Sequence, residues 1–205
     1  MMGCATTQQE PAVTLPPISE PQSKIQNSGQ IIWHDLATRD LDQAKNFYSG
    51  VFGWKFRKLN QSGREYTAIY LKDKIIGGMF KFTSKDREDP YGEWLVNLSS
   101  SNVAGDAEKF ARAGGEILEP AREIPDRGTS AFVQDPYEAV FILTNSSSGD
   151  PEKSEVPVGG WLWNELWTHD ATAALSLYQG IFGLESEKMK TPTGNDYYVL
   201  IQQSG

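Results

Sequence analysis

The strongest constraint on this chain is an internal repeat, in which two stretches match at a constant separation of 130 residues. Nine residues of the first stretch recur in the second. They are Trp33, Leu36, Thr38, Asp40, Ala44, Tyr48, Gly50, Phe52 and Gly53, which recur as Trp163, Leu166, Thr168, Asp170, Ala174, Tyr178, Gly180, Phe182 and Gly183. Asp35 is matched by Glu165, which keeps a carboxylate. A fixed period of this kind indicates a repeated structural unit.

The first copy predicts a β-α-β-β-β unit. An apolar, strand-like segment at residues 30–37 precedes a helix that begins at Asp40, where Gln43 can complete a capping box. Apolar residues recur along that helix at helical spacing, and Gly50 and Gly53 indicate its end. Strand-like segments follow at residues 55–59, 65–71 and 75–82.

A second unit of the same order is predicted after residue 93. It has a strand at 94–99, a helix at 102–113, and strands at 116–118, 130–134 and 139–144. Residues 146–158, rich in Ser, Glu, Gly and Pro, are expected to be a linker. The sequence therefore predicts a complete domain over residues 30–145 and the truncated first part of a second domain over residues 159–205.

Two segments carry a resemblance to a known family. Residues 33–40, with Ala44, 47–48 and 51–54, resemble the opening of glyoxalase/bleomycin-resistance/dioxygenase proteins, the vicinal oxygen chelate superfamily. Residues 132–141 resemble the end of such a domain, and the whole is similar to a two-domain, glyoxalase-like bacterial subgroup. The resemblance implies an α+β fold, in which paired βαβββ units form a curled mixed sheet around a cavity with helices packed outside.

The resemblance also identifies the positions that hold a metal in metal-dependent members. Those members place a histidine on the first strand and a carboxylate on the last strand. The corresponding residues here are Trp33, repeated as Trp163, and Ile142, while Leu95 holds the matching position on the first strand of the second unit. Because zinc or iron needs His, Cys or carboxylate ligands, we expect no catalytic metal and no other cofactor.

The candidate site residues follow from the alternation of side chains along strands. Asp35 shares the cavity face with Trp33, whereas His34 faces the helices and is expected to be a packed structural residue. Trp33 would stack on a ligand, Asp35 and Asn97 would fix its orientation, and Ser99 and Ile142 complete the predicted ligand-binding set. Asp35 is either a general base or a structural acid bonded within the sheet, and the cavity is either an open pocket or a filled core.

Two functions of the cavity stay open at this point, and an envelope-tethered interaction protein is a third class if Cys4 is lipidated. The favoured one is a metal-independent small-molecule binding protein whose ligand is apolar or aromatic. The alternative is a glyoxalase-like lyase, isomerase or hydrolase that uses Asp35 as a general base. A net charge of −8 argues against nucleic acid as a partner, since that requires a basic face.

The N-terminal 29 residues are expected to be a disordered tail, because they contain little apolar surface. The Gly3-Cys4 pair resembles the cleavage site of a bacterial lipoprotein signal, which implies lipidation of Cys4 and a membrane tether in the cell envelope. Only three residues precede Cys4, fewer than a signal needs. The alternative is a flexible terminus with an incidental cysteine in a cytoplasmic protein.

The incomplete second domain leaves three possibilities. Another copy could supply the missing half in a homodimer, the third unit could pack on the first domain, or the sequence could be a fragment. The fragment is the favoured interpretation.

Overall fold

The computed structural model describes residues 15–61, 64–82, 92–194 and 196–202. Cys4 lies outside these residues, so its lipidation stays a prediction. Over the described residues there are three helices and ten strands, and those of the first two units follow one another in the predicted order. None of the described helices has the length and apolar character needed to cross a membrane.

The elements fall into three units. The first contains β1 (Ile31–Thr38), α1 (Leu41–Phe52), β2 (Lys55–Gln61), β3 (Arg64–Leu71) and β4 (Lys74–Lys81). The second contains β5 (Glu93–Ser99), α2 (Val103–Arg112), β6 (Glu116–Ile124), β7 (Gly128–Gln134) and β8 (Val140–Ser146). The third contains α3 (Ala171–Phe182), β9 (Glu185–Lys190) and β10 (Asp196–Ile201). The main difference from the expected bounds is β6, which passes Pro120 with two register shifts and so extends well beyond residue 118.

The strands of the first two units form one curled mixed sheet in the order β2-β3-β4-β1-β5-β8-β7-β6. β1 and β5 pair antiparallel at its centre, and each pairs in parallel with the last strand of its own unit. This arrangement confirms the predicted α+β class with paired βαβββ units.

The repeat preserves the signals that start and end its helices. The carboxylate of Asp40 accepts hydrogen bonds from backbone N–H groups in the first turn of α1, and Asp170 does the same for α3. Both helices end at a glycine with positive φ, Gly53 at 67° and Gly183 at 69°. The identities at the helix ends therefore correspond to the same local structure in both copies.

The third unit packs on the first domain, which was one of the three predicted possibilities. Tyr178, Phe182 and Leu184 are buried in the same apolar cluster as Phe110 of α2 and Leu143 of β8. Helix α3 thus completes the core of the second unit. A homodimer through this unit stays a prediction.

The stretch that repeats β1 does not form a strand, which differs from the repeat-based expectation. Residues 159–170 follow an irregular path, and β9 and β10 form a separate two-stranded sheet. The Trp161 indole N–H donates to the Ile76 carbonyl at 2.7 Å, and its ring stacks on His34 with centroids 4.1 Å apart. Whereas β1 pairs with β4 and β5, this segment pairs with no strand among the described residues.

A contact between equivalent positions joins the two copies. His34 Nε2 lies 2.8 Å from Asn164 Oδ1, and the two residues are separated by the repeat length of 130. Burial lowers the pKa of His34, against opposing contributions from Asn164 and Asp35. His34 is buried on the helix side of the sheet, where the alternation of strand side chains places it.

Residues 15–29 differ from the disordered tail expected from their composition. Leu15 and Ile18 are buried, and the backbone N–H groups of Ser19 and Ser23 donate to Ser148 at 3.0 Å. The Asn27 N–H donates to the carboxylate of Asp150 at 2.5 Å. The N-terminal segment and residues 146–150 are both polar, and each supplies hydrogen-bond partners to the other. Both are therefore ordered despite their low apolar content.

The same contacts revise the predicted linker at residues 146–158. Ser146, Ser148 and Asp150 are buried under the N-terminal segment, so the first part of this stretch belongs to the domain. Most of residues 151–158 are exposed, as a linker would be. Burial raises the pKa of Asp150, although hydrogen bonding with Ser99 and the Asn27 N–H opposes the effect.

Candidate functional site

The concave face of the sheet brings most of the predicted site residues into one row. Trp33 of β1 pairs in register with Asn97 of β5, which pairs in turn with Ile142 of β8. Asp35 lies two residues along β1, beside Leu95. All of these side chains are buried.

The carboxylate of Asp35 accepts hydrogen bonds from three side chains. Its Oδ1 accepts from the Tyr66 hydroxyl at 2.6 Å and from the Trp33 indole N–H at 3.2 Å. Its Oδ2 accepts from the Asn97 amide at 3.1 Å. The residue is only 6% exposed, and these donors compensate for the loss of water around the charge. We call Trp33, Asp35 and Tyr66 the first triad.

The network continues into the second unit. The Thr144 hydroxyl donates to the Asn97 side-chain carbonyl at 3.1 Å and lies 3.0 Å from the Ser130 hydroxyl. Thr144 and Asn97 are both buried. The two units are therefore joined across the concave face by polar side chains as well as by strand pairing.

Gly78 provides the space that the Tyr66 hydroxyl needs. A Cβ at this position would lie 1.8 Å from that oxygen, so no other residue fits beside the present Tyr66 rotamer. Gly78 pairs in register with Asp35 on one side and Ala68 on the other. Burial and the charge of Asp35 raise the pKa of Tyr66 well above its usual value, which keeps the hydroxyl a neutral donor.

Arg127 covers the Trp33 ring that was expected to stack on a ligand. Its guanidinium carbon lies 4.1 Å from the ring centroid, and the residue is 4% exposed. The guanidinium also donates to the Pro16 carbonyl at 2.5 Å, and Ile18 packs with Trp33 in one apolar cluster. The stacking surface is thus held by a side chain of the protein, with the N-terminal segment packed beside it.

The remaining predicted residues occupy different surroundings. Leu95 and Ile142 belong to an apolar cluster with Ala37 on the cavity face. Ser99 is fully buried and its backbone pairs with Gly29 and Gln30 of the N-terminal segment, away from the first triad. Asn97 is therefore part of the network around Asp35, whereas Ser99 supports the N-terminal segment.

The residues at the metal positions of the family do not fit a metal. Trp33, Leu95 and Ile142 offer no nitrogen, thiolate or carboxylate ligand in the required place. Within the described parts of the chain, no group of three His, Cys, Asp or Glu residues converges in a way that could hold an ion.

Sequence reasoning missed Tyr66 and Arg127, for different reasons. Tyr66 is repeated as Tyr197, one position beyond the constant separation, because the segment from the start of β9 at Glu185 to Tyr197 is one residue longer than the segment from the start of β2 at Lys55 to Tyr66. Searching with a one-residue gap could have found it. Arg127 lies in the turn between β6 and β7, and no local pattern separates it from a solvated turn residue.

A family comparison agrees with this architecture. The model of the Glyoxalase/Bleomycin resistance protein/Dioxygenase superfamily matches residues 30–143. The chain belongs to this superfamily. The match covers almost the whole of the complete domain predicted over residues 30–145.

Individual relatives are more distant. CFP32 of Mycobacterium tuberculosis, whose name describes it as a glyoxylase, is 28% identical over 170 residues, which cover 82% of this chain and 65% of CFP32. The anthracycline biosynthesis protein DauV of Streptomyces sp. is 25% identical over 76% of this chain and 61% of DauV. This chain therefore spans less than two thirds of the length of either relative.

A solved structure shows the same fold at low sequence identity. The Mn(II)-bound glyoxalase from Novosphingobium aromaticivorans superposes with a TM-score of 0.56 and 10% identity. The superposition covers 82% of this chain and 57% of that glyoxalase.

Proposed function

We propose that this chain is a small-molecule binding protein of the superfamily, which works without a metal and takes an apolar or aromatic ligand of modest size. The observation that carries the proposal is the stacked pair of Arg127 and Trp33 on the concave face. An indole face that accepts one planar group can accept another, so a ligand ring would replace the guanidinium there. Leu95 and Ile142 would supply the apolar contacts.

The chemistry of the site supports binding over catalysis. Trp33, Leu95 and Ile142 stand where metal-dependent members hold ligands. Asp35, the one acid in the network, already accepts three hydrogen bonds and is buried. A general base must lie within reach of a substrate proton, and a buried carboxylate whose two oxygens already accept from three side chains is poorly placed for that.

The name of one relative supports the ligand class. DauV is named for anthracycline biosynthesis, and anthracyclines are planar, fused-ring compounds. Such rings match the flat face of Trp33. The match concerns the chemical class and leaves the particular ligand open.

A glyoxalase-like enzyme is the second candidate, supported by the glyoxylase name of CFP32. It would use Asp35 as the base for proton abstraction. For this chemistry one of the three donors, most simply Asn97, would have to move away so that Oδ2 could reach a substrate. The two candidates thus differ in what happens to a single hydrogen bond.

The binding proposal is tested by titrating ¹⁵N-labelled protein with 2-naphthol and following the indole N–H resonances. We expect a saturable shift of the Trp33 resonance, which a Trp33→Phe variant identifies. Ile142→Trp, which fills the apolar side of the cavity, should abolish the shift. An unchanged Trp33 resonance at a saturating probe concentration contradicts the proposal.

The enzyme candidate has its own assay. The protein is incubated with the thiohemiacetal of methylglyoxal and glutathione, with and without EDTA. We expect no consumption in either case. Consumption that survives EDTA but is lost in Asp35→Asn would favour the second candidate, and consumption that EDTA abolishes would overturn metal independence.

A further inference from the structure

Arg127 is a buried cation for which the described structure offers no counter-charge. The residue is only 4% exposed, and arginine is rarely buried so completely unless its charge is paired. Among the residues that the structure describes, no Asp or Glu side chain forms an ion pair with it. Its guanidinium instead contacts the Trp33 ring and donates to the Pro16 carbonyl. A neutral acceptor and an aromatic face compensate only in part for the water that this charge loses.

The neutral acceptor belongs to a segment whose release leaves the sheet intact. Residues 15–28 form no helix or strand, and Pro16 lies near the start of this segment. Ile18, two residues further on, packs against Trp33 in the same apolar cluster. Detaching this end of the segment would therefore uncover both Trp33 and Arg127 without breaking any strand pair.

The groups around Arg127 come from the N-terminal segment and the first two units. Trp33 belongs to β1, and Arg127 belongs to the turn between β6 and β7. The described residues that pack in one apolar cluster with Trp33 are Ile18, Ile32 and Ile75. The arrangement thus draws on no described residue of the third unit.

The site holds its positive and negative charges on different sides of one indole. Asp35 accepts from the N–H at the edge of Trp33, whereas the guanidinium of Arg127 lies over the face of the ring. Both oxygens of Asp35 already accept hydrogen bonds from side chains of the protein. An acidic group beside Arg127 would face the cation, while the Asp35 carboxylate stays in its own network.

We propose that Arg127 recognises an acidic group on the ligand, so that the site takes a planar aromatic carboxylate. This inference rests on the proposed function, because it places the ligand ring on Trp33. A ring in that place displaces the guanidinium from the indole, and the carboxylate of the same ligand replaces the Pro16 carbonyl as its acceptor. Guanidinium and carboxylate match in planar geometry and form two parallel, charge-assisted hydrogen bonds.

The test compares 2-naphthoate with neutral 2-naphthamide on the full chain at neutral pH. The readout is the indole N–H resonance of Trp33. We expect both compounds to shift it saturably, with an affinity for naphthoate at least about tenfold higher. Equal affinities overturn the acidic group and leave the proposed function standing. A resonance that neither compound shifts overturns both.

Arginine variants show whether Arg127 is the source of the preference. Arg127→Met should reduce the ratio of the two affinities to about one, because the counter-charge of the carboxylate is gone. Binding of naphthamide by this variant reports that its site is still folded. Arg122→Met, on the exposed part of β6, should keep the tenfold ratio. A preference for naphthoate that survives in Arg127→Met overturns the proposal.

The place of the Pro16 carbonyl is tested through the N-terminal segment. Ile18→Ser removes an apolar contact that holds this end of the segment beside Trp33, so it should raise the affinity for naphthoate severalfold. Ile25→Ser, at a position of the same segment that is 49% exposed, is the matched control and should have no effect. An affinity that Ile18→Ser leaves unchanged would overturn the exchange between the Pro16 carbonyl and the ligand.

Discussion

The two triads have the same chemistry and opposite surroundings. Trp33, Asp35 and Tyr66 lie under the second unit, whereas Trp163, Glu165 and Tyr197 face solvent with the same hydrogen bonds. The second unit therefore does not create the triad. It supplies burial, the Asn97 donor and the guanidinium of Arg127.

This difference shows which property of a βαβββ unit is local. The triad joins β1 to β3 in one copy and residues 163–165 to β10 in the other, so a single unit is enough to form it. Burial of the triad, in contrast, depends on a neighbouring unit that packs over it. The contribution of the triad to stability should therefore be large in the first copy and small in the third.

The largest expected effect comes from deleting each carboxylate in turn. Asp35→Ala leaves the buried Tyr66 hydroxyl and Asn97 amide without their acceptor and should lower the free energy of unfolding by about 3–5 kcal/mol. Glu165→Ala, at an exposed position, should leave the urea midpoint unchanged. Equal losses in the two variants would show that enclosure does not separate the triads.

A slightly smaller effect is expected when the space around Tyr66 is filled. Gly78→Ala places a Cβ 1.8 Å from the Tyr66 hydroxyl, which forces the ring away from Asp35. We expect a loss of about 1–3 kcal/mol in urea unfolding. Gly50→Ala is the control, because a Cβ there meets nothing within 4 Å and the helix should gain about 0.5–1 kcal/mol. A neutral Gly78→Ala would contradict this role of the glycine.

Removing the guanidinium of Arg127 should leave the Trp33 ring without a cation over its face. Arg127→Met keeps much of the side-chain volume and should cost about 1–2 kcal/mol by removing the contact with Trp33. Arg127→Lys should not restore the full stability, because an ammonium lacks the planar face. Arg122→Met, on the exposed part of β6, is the matched control. We would abandon this view if both methionine variants unfolded at the same urea concentration.

The smallest effect concerns the contact between the copies at His34 and Asn164. Burial lowers the pKa of His34 below its ordinary value of 6.5, so the unfolded chain takes up a proton more readily than the folded chain. The stability from neutral His34 is complete above pH 6.5 and is lost as the pH falls below it. His34→Gln should remove this part of the pH dependence of unfolding, and His169→Gln, at an exposed site, should not.

Local features of the fold could be predicted because they depend on short patterns of neighbouring residues in the sequence. Asp40, Gly53 and their repeats Asp170 and Gly183 define helix ends through backbone chemistry that depends on neighbours in the chain. The alternation along β1 likewise placed Trp33 and Asp35 on one face and His34 on the other. These predictions needed no knowledge of distant residues, and Asn97 followed from the same alternation along β5, whereas Ile142 was named from the family resemblance.

Contacts between segments that are distant in the chain could not be predicted from the sequence. Arg127 reaches Trp33 only because the turn between β6 and β7 curls over the concave face. The N-terminal segment is ordered only because Ser148 and Asp150 accept hydrogen bonds from its backbone N–H groups. Both arrangements join polar residues that composition assigns to solvent, and their partners lie more than 90 positions away.

The position of α3 has a consequence for the order in which this protein folds during synthesis. Tyr178, Phe182 and Leu184 complete the apolar cluster around Phe110, so the second unit emerges from the ribosome before part of its core exists. We expect a chain ended at residue 158 to be cleaved within α2 by a dilute protease that spares the longer protein. The family match ends at residue 143, but we expect the cooperative folding unit to extend about 40 residues beyond it, because α3 completes the apolar cluster.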